Sequence, residues 1–296
     1  MHWSGRHLAR WRPRRAAWPA SVSRIANGAV LATALLMPSA QAGLAGAAGS
    51  STAGSSTTTG SLAAGSPAAA STRGRPFTGT PAVGALFTVA GSKLSQHFCS
   101  ASVVHSSAGN LILTAAHCLG GRPVGGPRGI VFAPGWHDGH APHGIWPVTA
   151  VFVSHAWSAR RAPSDDVAFL QVGPDRQPGH PGQAVEQVTG SERLGTGLAP
   201  QRVEVVGYPD ATSRPITCRG QASAFGRTQL VFRCGGYTDG TSGGPFLAHV
   251  RGTGRGTVLG VIGGFEQGGD TPEVSYSPRF GAQVAALYRA ATAGTG

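Results

Sequence analysis

Residues 239–246 read DGTSGGPF and place a single serine, Ser242, among three glycines just before a proline. Glycine loses more backbone entropy on ordering than any other residue, so such a run marks a tight turn or a backbone that something approaches closely. Because the chain has 46 glycines, a Gly-rich surface turn is the simple alternative. The rest of the sequence decides between that turn and a site built around Ser242.

Two other stretches carry the residue types that a serine nucleophile requires. The stretch LTAAHC contains His117, and SDDVAFL contains Asp165 and Asp166 just before an apolar run. A serine hydroxyl is a poor nucleophile near pH 7 and needs a base, a task that suits an imidazole. The imidazole in turn needs a carboxylate that orients it and stabilises its charged form. The three stretches therefore contain the groups of a nucleophilic acyl-transfer site.

Beyond residue 83 the chain consists of short apolar or alternating runs separated by Gly, Pro and Ser clusters. Such runs at regular spacing predict an all-β sandwich or barrel rather than a parallel α/β fold, whose strands would alternate with helices. The predicted strands are residues 84–89, 99–105, 111–116, 129–134, 146–153, 167–172, 202–208, 229–234, 245–250 and 258–265. The one convincing helix is terminal, at residues 282–291, where Val284, Leu287 and Tyr288 share a face.

The N-terminus has the pattern of an export signal. Residues 1–42 contain six arginines, then a mainly apolar run of 13 residues at 25–37, then Ala40 and Ala42 as the small residues of a cleavage site. This predicts a secretory signal peptide at 1–42 and an extracellular protein. A membrane anchor is the alternative, but the run is shorter than the roughly 20 residues of a span. Residues 43–81, rich in Gly, Ala, Ser and Thr, are predicted to form a disordered linker or pro-segment, and the folded domain to occupy 82–296.

The net charge of +12 belongs mostly to the N-terminus. From Pro76 onward there are 16 basic and 12 acidic residues, a net charge of +4, and the basic residues are spread singly without a basic stripe or interleaved aromatics. This distribution argues against a nucleic-acid partner. The net charge of this part of the chain therefore gives no reason to expect a polyanionic partner.

Four cysteines in an exported chain predict two disulfides, for which three pairings are possible. The closely spaced pairs are Cys99–Cys118 and Cys218–Cys234, and these are the pairings we expect. Free thiols or a metal site are the alternatives, but the chain has no C-x-x-C spacing that would favour a metal. Residues 137–143, HDGHAPH, sit among Gly and Pro and are predicted to be a surface loop. We therefore expect neither a metal nor a cofactor.

The blocks TAAHC and TSGGP, in the chain order His, Asp, Ser, resemble the chymotrypsin/trypsin-like serine peptidases. The resemblance extends over about residues 81–291. It implies two six-stranded antiparallel β-barrels with the active site between them and a C-terminal helix. The N-terminal barrel would span about 82–180 and the C-terminal barrel about 181–296.

The resemblance also implies roles for individual residues. His117 would be the general base, Asp166 its carboxylate partner and Ser242 the nucleophile, and Asp165 is the competing choice for the carboxylate. The backbone N–H groups of Gly240 and Ser242 would form the oxyanion hole. Cys99–Cys118 would match the family's disulfide beside the catalytic histidine.

Two departures from the family pattern concern activation and specificity. Most animal members carry an aspartate directly before the nucleophile, which pairs with a newly cut N-terminus, whereas this chain has Thr241. The chain is therefore closer to a secreted bacterial, glutamyl-endopeptidase-like branch. The substrate pocket would be lined by Gly236, where trypsin has its specificity carboxylate, and by Gly263, Gly264, Phe265 and Glu266. Neither the trypsin nor the glutamyl signature is present, and Glu266 is compatible with narrowing the pocket or with attracting a cation.

The sequence thus supports a secreted serine endopeptidase acting through an acyl-enzyme. The alternative is a protease-like binding protein without catalytic turnover, which degenerate triads typify, whereas all three triad residues are present here. The expected partners are protein or peptide substrates, with no nucleic acid and no membrane after signal cleavage. A monomer is expected.

Overall fold

The computed structural model describes residues 72–90, 93–122, 129–176, 179–252 and 254–293. These residues are mainly β-structure with three α-helices. The strands are β1 (Arg75–Pro76), β2 (Val83–Ala90), β3 (Lys93–Leu94), β4 (Cys99–Val103), β5 (Leu111–Thr114), β6 (Ile130–Pro134), β7 (Trp146–Val153), β8 (Ala168–Val172), β9 (Arg193–Leu194), β10 (Arg202–Gly207), β11 (Ile216–Phe225), β12 (Gln229–Arg233), β13 (Pro245–Ala248), β14 (Thr257–Val261) and β15 (Val274–Pro278). The helices are α1 (His155–Arg160), α2 (Val185–Thr189) and α3 (Ala282–Thr292).

The first sheet closes into a six-stranded antiparallel barrel. Its strands follow the order β2-β4-β5-β8-β7-β6, and β2 also pairs with β6, with β3 added beside β2. Closure removes free strand edges, and the interior is filled by large side chains such as Leu86, Phe132 and Phe169, all fully buried. The predicted strands at 84–89, 99–105, 129–134, 146–153 and 167–172 are confirmed within one or two residues at most ends.

The second sheet follows the order β15-β12-β11-β10-β13-β14-β9, with β1 paired to β11. Its six longer strands, β10 to β15, are those expected of the second barrel, but no strand pairing joins β14 to β15 in the described residues. Instead Gly263 N–H donates to Tyr276 O (3.0 Å) and Val261 N–H to the hydroxyl of Ser277 (2.9 Å). The ladder stops here because the chain after Val261 turns toward the cleft described below.

The sequence did not predict β11 and β15. The ten residues of β11, ITCRGQASAF, include polar side chains and a glycine, and much of the strand is exposed. Strand β15, VSYSP, is short and ends in a proline. In both strands the apolar signal is weak because only part of each strand faces a core.

Two gaps thought to contain no helix hold the short helices α1 and α2. These helices span six and five residues, too short for a helical period to be recognised. Helix α1 connects β7 to β8, which are antiparallel, so it is not a crossover between parallel strands. The prediction of an all-β fold is therefore confirmed despite them.

The terminal helix is confirmed at Ala282–Thr292, one residue longer than predicted. Val284 and Ala291 are buried, and α3 packs against β7 and β8 of the first barrel. Two side-chain hydrogen bonds hold it there, from Tyr288 Oη to His105 O (2.7 Å) and from Gln171 Nε2 to Ala291 O (2.9 Å). The helix therefore packs against the N-terminal barrel although it belongs to the end of the chain.

Residues 72–77, which fall in the segment predicted to be disordered (43–81), make hydrogen bonds to the second sheet region. Gly74 N–H donates to Gly235 O and Gly235 N–H to Thr72 O, both at 2.8 Å, and Phe77 N–H donates to Pro215 O at 3.1 Å. With strand β1, these bonds attach residues 72–77, the N-terminal arm, to the second sheet. Phe77 and the backbone of β11 supply the contacts that hold the arm. The predicted signal peptide and residues 43–71 lie outside the described residues.

Each disulfide joins two residues of the same sheet region, the first in the barrel and the second in the second sheet. Cys99 in β4 is bonded to Cys118 in the turn after β5, and Cys218 in β11 is bonded to Cys234 just after β12. Each links residues close in sequence, and each therefore constrains a short loop of the unfolded chain. Among the described residues, no helix has the length and hydropathy needed to span a membrane.

The N-terminal arm should contribute measurably to stability. Because the arm is ordered, its backbone hydrogen bonds, its pairing with β11 and the packing of Phe77 together outweigh the entropy of ordering it, and we expect a net contribution of about 1–2 kcal/mol, comparable to one or two net hydrogen bonds. A chain beginning at Ala82 should therefore melt several degrees below one beginning at Thr72, since 1 kcal/mol shifts Tm by about 2–4 °C at this size. Thermal unfolding measured for both chains at one pH tests this. Equal Tm values would mean that the arm contributes nothing.

Glu192 is a fully buried carboxyl between α2 and β9. One of its oxygens accepts from Gly256 N–H, and the other has no hydrogen-bond partner in the described residues. Burial raises the pKa of this carboxyl from 4.5 to about 7, with Arg255 acting in the opposite sense. A folded-state pKa above the unfolded one means that folding favours the protonated form, so stability is lost as pH rises from about 4.5 to 7.

Replacing Glu192 by Gln should remove this loss, because the amide is neutral at every pH and keeps an acceptor oxygen. Glu192→Gln should raise the free energy of unfolding relative to the parent chain by up to about 3 kcal/mol above pH 7, and by little at pH 4.5. Denaturant unfolding at pH 4.5, 6 and 8 measures the difference. The exposed Glu273→Gln variant is the control and should show no such trend; a flat difference for Glu192→Gln would contradict the burial argument.

Candidate active site

A cleft of about 680 Å³ brings together residues from both sheets. Its lining includes the predicted His117 and Ser242, together with Gly240 and the disulfide Cys99–Cys118. His117 lies on a single 3₁₀ turn, Ala116–Leu119, directly after β5. The predicted strand at 111–116 therefore ends early, at Thr114, and the turn carries the histidine to the cleft.

Asp166 binds His117 through both of its oxygens. His117 Nδ1–H donates to Asp166 Oδ2 at 2.7 Å, and His117 backbone N–H donates to Asp166 Oδ1 at 2.8 Å. Gly264 N–H is a third donor, at 2.8 Å from Oδ2. Asp166 is fully buried, while the His117 side chain is 13% exposed. Because a carboxylate accepts, Nδ1 carries the proton, and Nε2 of the neutral imidazole is left as an acceptor.

Asp165 does not share this arrangement. Its carboxylate accepts from the neighbouring Ser164 hydroxyl at 2.8 Å, and the residue is half-buried. The two aspartates lie on either side of the end of a 3₁₀ turn, Pro163–Asp165, so their side chains point in different directions. The hydrogen-bond geometry therefore distinguishes Asp166 from Asp165 as the partner of His117, a choice that the two adjacent aspartates in the sequence do not decide without the family resemblance.

Ser242 lies in the loop between β12 and β13 and is partly exposed to the cleft. No hydrogen bond joins Ser242 to His117 in the described residues. Nucleophile–base hydrogen bonds are often long in ligand-free sites and shorten only when substrate binds. What the described geometry shows is that both side chains line one cleft.

The Asp239–Gly240 and Thr241–Ser242 peptides are oriented by hydrogen bonds to their carbonyls. Asp239 O accepts from Asp210 N–H at 2.8 Å, and Thr241 O accepts from Gly244 N–H at 2.9 Å. In a trans peptide the N–H points away from the C=O. The N–H groups of the following residues, Gly240 and Ser242, are therefore directed away from these partners, and neither donates to a backbone carbonyl in the described part of the chain.

Gly243 shows why the loop is rich in glycine. Its φ is +81°, and a Cβ at this position would overlap Thr114 Oγ1 and Ser100 O in the first barrel. Gly240, with φ +87°, is similarly close to Tyr208 O and Asp210 N, about 2.6 Å from a Cβ. The two glycines let the loop pack directly on neighbouring backbone.

Only one of the five predicted pocket residues lines this cleft. Glu266 does, whereas Gly236 faces Arg73 and Ile216, Gly263 packs on Asp166, and Phe265 packs on Phe225 and Tyr276. Gly264 donates to Asp166 instead, as described above. The residues expected to form the pocket wall mainly contact the Asp166 carboxylate or the rings of Phe225 and Tyr276 instead, because the chain after Val261 leaves strand geometry.

Two carboxylates that the predicted pocket did not include, those of Asp239 and Asp270, also line the cleft. Among the described residues that line the cleft with Glu266, one is an arginine, Arg122, whose guanidinium carbon lies 4.0 Å from the centre of the Phe98 ring and whose Nη1–H donates to Cys118 O at 3.0 Å. The position of Asp239, directly before Gly240, is the signal that would have identified it. The lining is net negative, which favours cationic over anionic ligands.

A cluster of potential metal ligands also lies beside the cleft. Nδ1 or Nε2 of His117 and the sulfurs of Cys99 and Cys118 lie within 4.8 Å of one another. Both sulfurs are bonded to each other in the disulfide, so they are not thiolates and do not offer a metal site.

The closed barrel, the second sheet and the C-terminal helix define a chymotrypsin-like fold. The family model described as "Trypsin-like peptidase domain" matches residues 99–261. Since this is more than half of the chain, the chain belongs to the trypsin-like peptidase family, and it is a serine endopeptidase. No protein with a curated function matches the chain.

Several solved structures resemble it. The protease Anisep from Arthrobacter nicotinovorans is 23% identical with a TM-score of 0.62, over 75% of this chain and 100% of that protein. A thermostable serine protease, AL20, from an extremophilic microorganism is 27% identical with a TM-score of 0.60, over 73% and 98%. A Glu endopeptidase is 16% identical with a TM-score of 0.56, over 76% and 98%.

The packing at Gly243 should be indispensable. Gly243→Ala adds a methyl group where the loop already touches β4 and β5, so the loop must shift. We expect a loss of roughly 1–3 kcal/mol of stability and of at least about 100-fold in peptidase kcat/KM, since small displacements of reacting groups carry penalties of that order.

Gly139→Ala is the matched control. Gly139 has nearly the same φ, +80°, but nothing lies within 4 Å of a Cβ there. It should show only the cost of the left-handed backbone, about 1–2 kcal/mol, with kcat/KM unchanged. Equal activity losses in the two variants would contradict the argument from packing.

Proposed function

We propose that this endopeptidase is secreted and cleaves peptide bonds through an acyl-enzyme formed on Ser242. The observation that carries the proposal is the buried Asp166–His117 pair, which leaves Nε2 as an acceptor in the cleft that Ser242 lines. The order of the three residues along the chain supports the same assignment. A catalytically silent binding protein would have no need of this buried pair.

In the proposed mechanism Ser242 Oγ attacks the substrate carbonyl carbon while His117 Nε2 takes its proton. The C=O bond becomes C–O⁻, and the N–H groups of Gly240 and Ser242 stabilise that oxyanion. The tetrahedral intermediate collapses, the C–N bond breaks, and His117 returns the proton to the leaving amine. A water molecule, deprotonated by His117, then attacks the carbonyl carbon of the acyl-enzyme. The second tetrahedral intermediate collapses, the bond from carbon to Ser242 Oγ breaks, and His117 returns the proton to Oγ as the carboxylic acid is released.

Asp166 has an orienting and electrostatic role in this scheme. Its bond to Nδ1 keeps Nε2 unprotonated and facing the cleft, and its charge stabilises the imidazolium that forms during attack. Three N–H donors compensate for the burial of this carboxylate. His117 is thus held from both its backbone and its ring.

Export and domain layout belong to the same proposal. The signal pattern at 1–42 and the two disulfides support passage to an oxidising compartment. Strands β2 to β8 support an N-terminal barrel within about 82–180, and β10 to β15 a C-terminal one within about 181–296. The folded domain would begin at about residue 72 rather than 82.

One neighbour in structure is a Glu endopeptidase, but we do not extend that preference to this chain. A glutamate side chain of a substrate would meet the carboxylates of Asp239, Glu266 and Asp270 in the cleft. Like charges in a cleft repel. Substrates with basic or neutral side chains beside the scissile bond fit the lining better.

The triad assignment is tested by removing each group in turn. Ser242→Ala and His117→Ala should each lower kcat by several orders of magnitude, by analogy with triad deletions of about 10⁶. Asp166→Asn should lower it by about 10⁴, and Asp165→Asn by little, because Asp165 bonds only to Ser164. Hydrolysis of casein or of a fluorogenic peptide library gives the rates, and Tm values show that each variant folds.

A fluorophosphonate probe separates an enzyme from a silent binding protein. It should label the parent chain at Ser242 and fail to label Ser242→Ala. A parent chain that folds but neither hydrolyses peptides nor reacts with the probe would establish the binding-protein alternative. Activity of more than a few per cent in Ser242→Ala would overturn the mechanism.

A further inference from the structure

Ser100 connects the first barrel to both sides of the loop that carries Ser242. It is the second residue of β4, beside Cys99, and is fully buried. Its hydroxyl donates to Gly240 O at 3.0 Å and accepts from Tyr208 N–H at 2.9 Å. Its backbone N–H donates to Ser242 O at 2.7 Å.

The backbone of Ser100 is itself held in place. Its carbonyl accepts from the hydroxyl of Thr114 in the neighbouring strand β5, at 2.8 Å. Closure of the barrel fixes β4 between β2 and β5. The hydroxyl of Ser100 therefore presents one donor and one acceptor from a rigid position.

The two hydrogen bonds of the Ser100 hydroxyl restrain the Gly240 N–H from both sides along the chain. On one side, the bond to Gly240 O fixes the carbonyl of the same residue. On the other side, the bond to Tyr208 N–H restrains the chain that leads to Asp210. Asp210 N–H donates to Asp239 O, which belongs to the same peptide group as the Gly240 N–H. His97 Nε2 supports this run as well, at 2.9 Å from Pro209 O.

Gly240 needs such a restraint because glycine can rotate where other residues cannot. With φ at +87° and no side chain, the flanking peptides have alternative orientations at low cost. Rotation of the Asp239–Gly240 peptide would turn the N–H away from the cleft and a carbonyl toward it. An oxyanion would then meet an acceptor in place of a donor.

We propose that Ser100 is a positioning residue for the peptidase reaction, which holds the Gly240 N–H in the orientation that stabilises the oxyanion. This inference rests on the proposed function, since it assumes that Gly240 N–H serves the tetrahedral intermediate. Ser100 touches neither substrate nor the reacting atoms. It acts through Gly240 and through the Tyr208–Asp210 run.

The chain offers a matched control on the same strand. Ser102 is also fully buried, lies two residues along β4, and has a hydroxyl without a hydrogen-bond partner in the described residues. Ser100→Ala and Ser102→Ala remove the same atom from equally buried positions. Only the first should affect the orientation of Gly240.

Steady-state kinetics should separate the two variants. Loss of one oxyanion donor lowers kcat by about 10²–10³, and a misoriented donor should give roughly 10–100-fold in Ser100→Ala. KM should stay within about threefold, because the ground-state carbonyl gains less from the donor than the oxyanion does. Ser102→Ala should keep kcat within about twofold of the parent chain.

Two further readouts distinguish positioning from general loss of structure. A peptidyl trifluoromethyl ketone, which forms a hemiketal oxyanion on Ser242, should bind Ser100→Ala more weakly by about the factor lost in kcat/KM. The pH profile of kcat/KM should keep its shape, because the His117–Asp166 pair is untouched. Rates are normalised to the fraction of protein that reacts with a fluorophosphonate, so unfolded material does not count.

The isosteric pair Ser100→Thr and Ser100→Val provides a second test if Ser100→Ala folds poorly. Both add the same bulk, and only Thr keeps a hydroxyl, so Thr should retain more kcat than Val by at least about tenfold. Ser100 variants with kcat equal to that of Ser102→Ala, or with unchanged affinity for the ketone, would overturn the inference. That result is distinct from failure of the proposed function, in which Ser242→Ala itself would remain active.

Discussion

The attachment of the Ser242 loop to strand β4 is the constraint on which the site depends. The hydrogen bond from Ser100 N–H to Ser242 O crosses from the closed barrel to the loop of the second sheet. It can form only because Gly243 has no side chain to keep the loop away from Ser100 and Thr114. Histidine and serine come from different sheets, so their distance is set by this contact and not by either sheet alone.

The buried charge of Asp166 imposes a second constraint on the same region. Burying a carboxylate is costly unless donors replace water. The three donors come from the turn after β5 and from the segment after β14, which deviates from strand geometry at Gly264. The open seam between β14 and β15 follows from this, because backbone that serves the carboxylate is unavailable to a ladder. Part of the second sheet's regularity is exchanged for the hydrogen bonds that hold Asp166 against the imidazole of His117.

The sequence was sufficient for most of the first barrel and for the groups around the cleft. Runs such as LILT in β5 and IVFAP in β6 are apolar because both faces of these strands are buried, and the blocks TAAHC and TSGGP are local signals around His117 and Ser242. It was insufficient for β11, whose exposed half carries polar residues, and for residues 72–81, whose order comes from pairing with Gly235 and β11. Asp165 and Asp166 are adjacent in sequence, and only the direction of the backbone between them separates their roles. No local sequence pattern places the carboxylates of Asp239 and Asp270 in the same cleft as Glu266; only the fold brings them together.

Thr241 and the N-terminal arm together bear on how activity is controlled. In the loop, Thr241 is buried and its hydroxyl donates to Thr238 O at 2.6 Å, so the turn before Ser242 is closed by its own residues. An ion pair with a new N-terminus is not needed to hold this turn. The arm instead bonds to Gly235, next to Cys234, whose disulfide leads to β11. Any influence of the N-terminal arm on the site would therefore pass through its contacts with Gly235, Pro215 and β11 and act by packing, since neutral backbone contacts do not depend on where the chain is cut upstream.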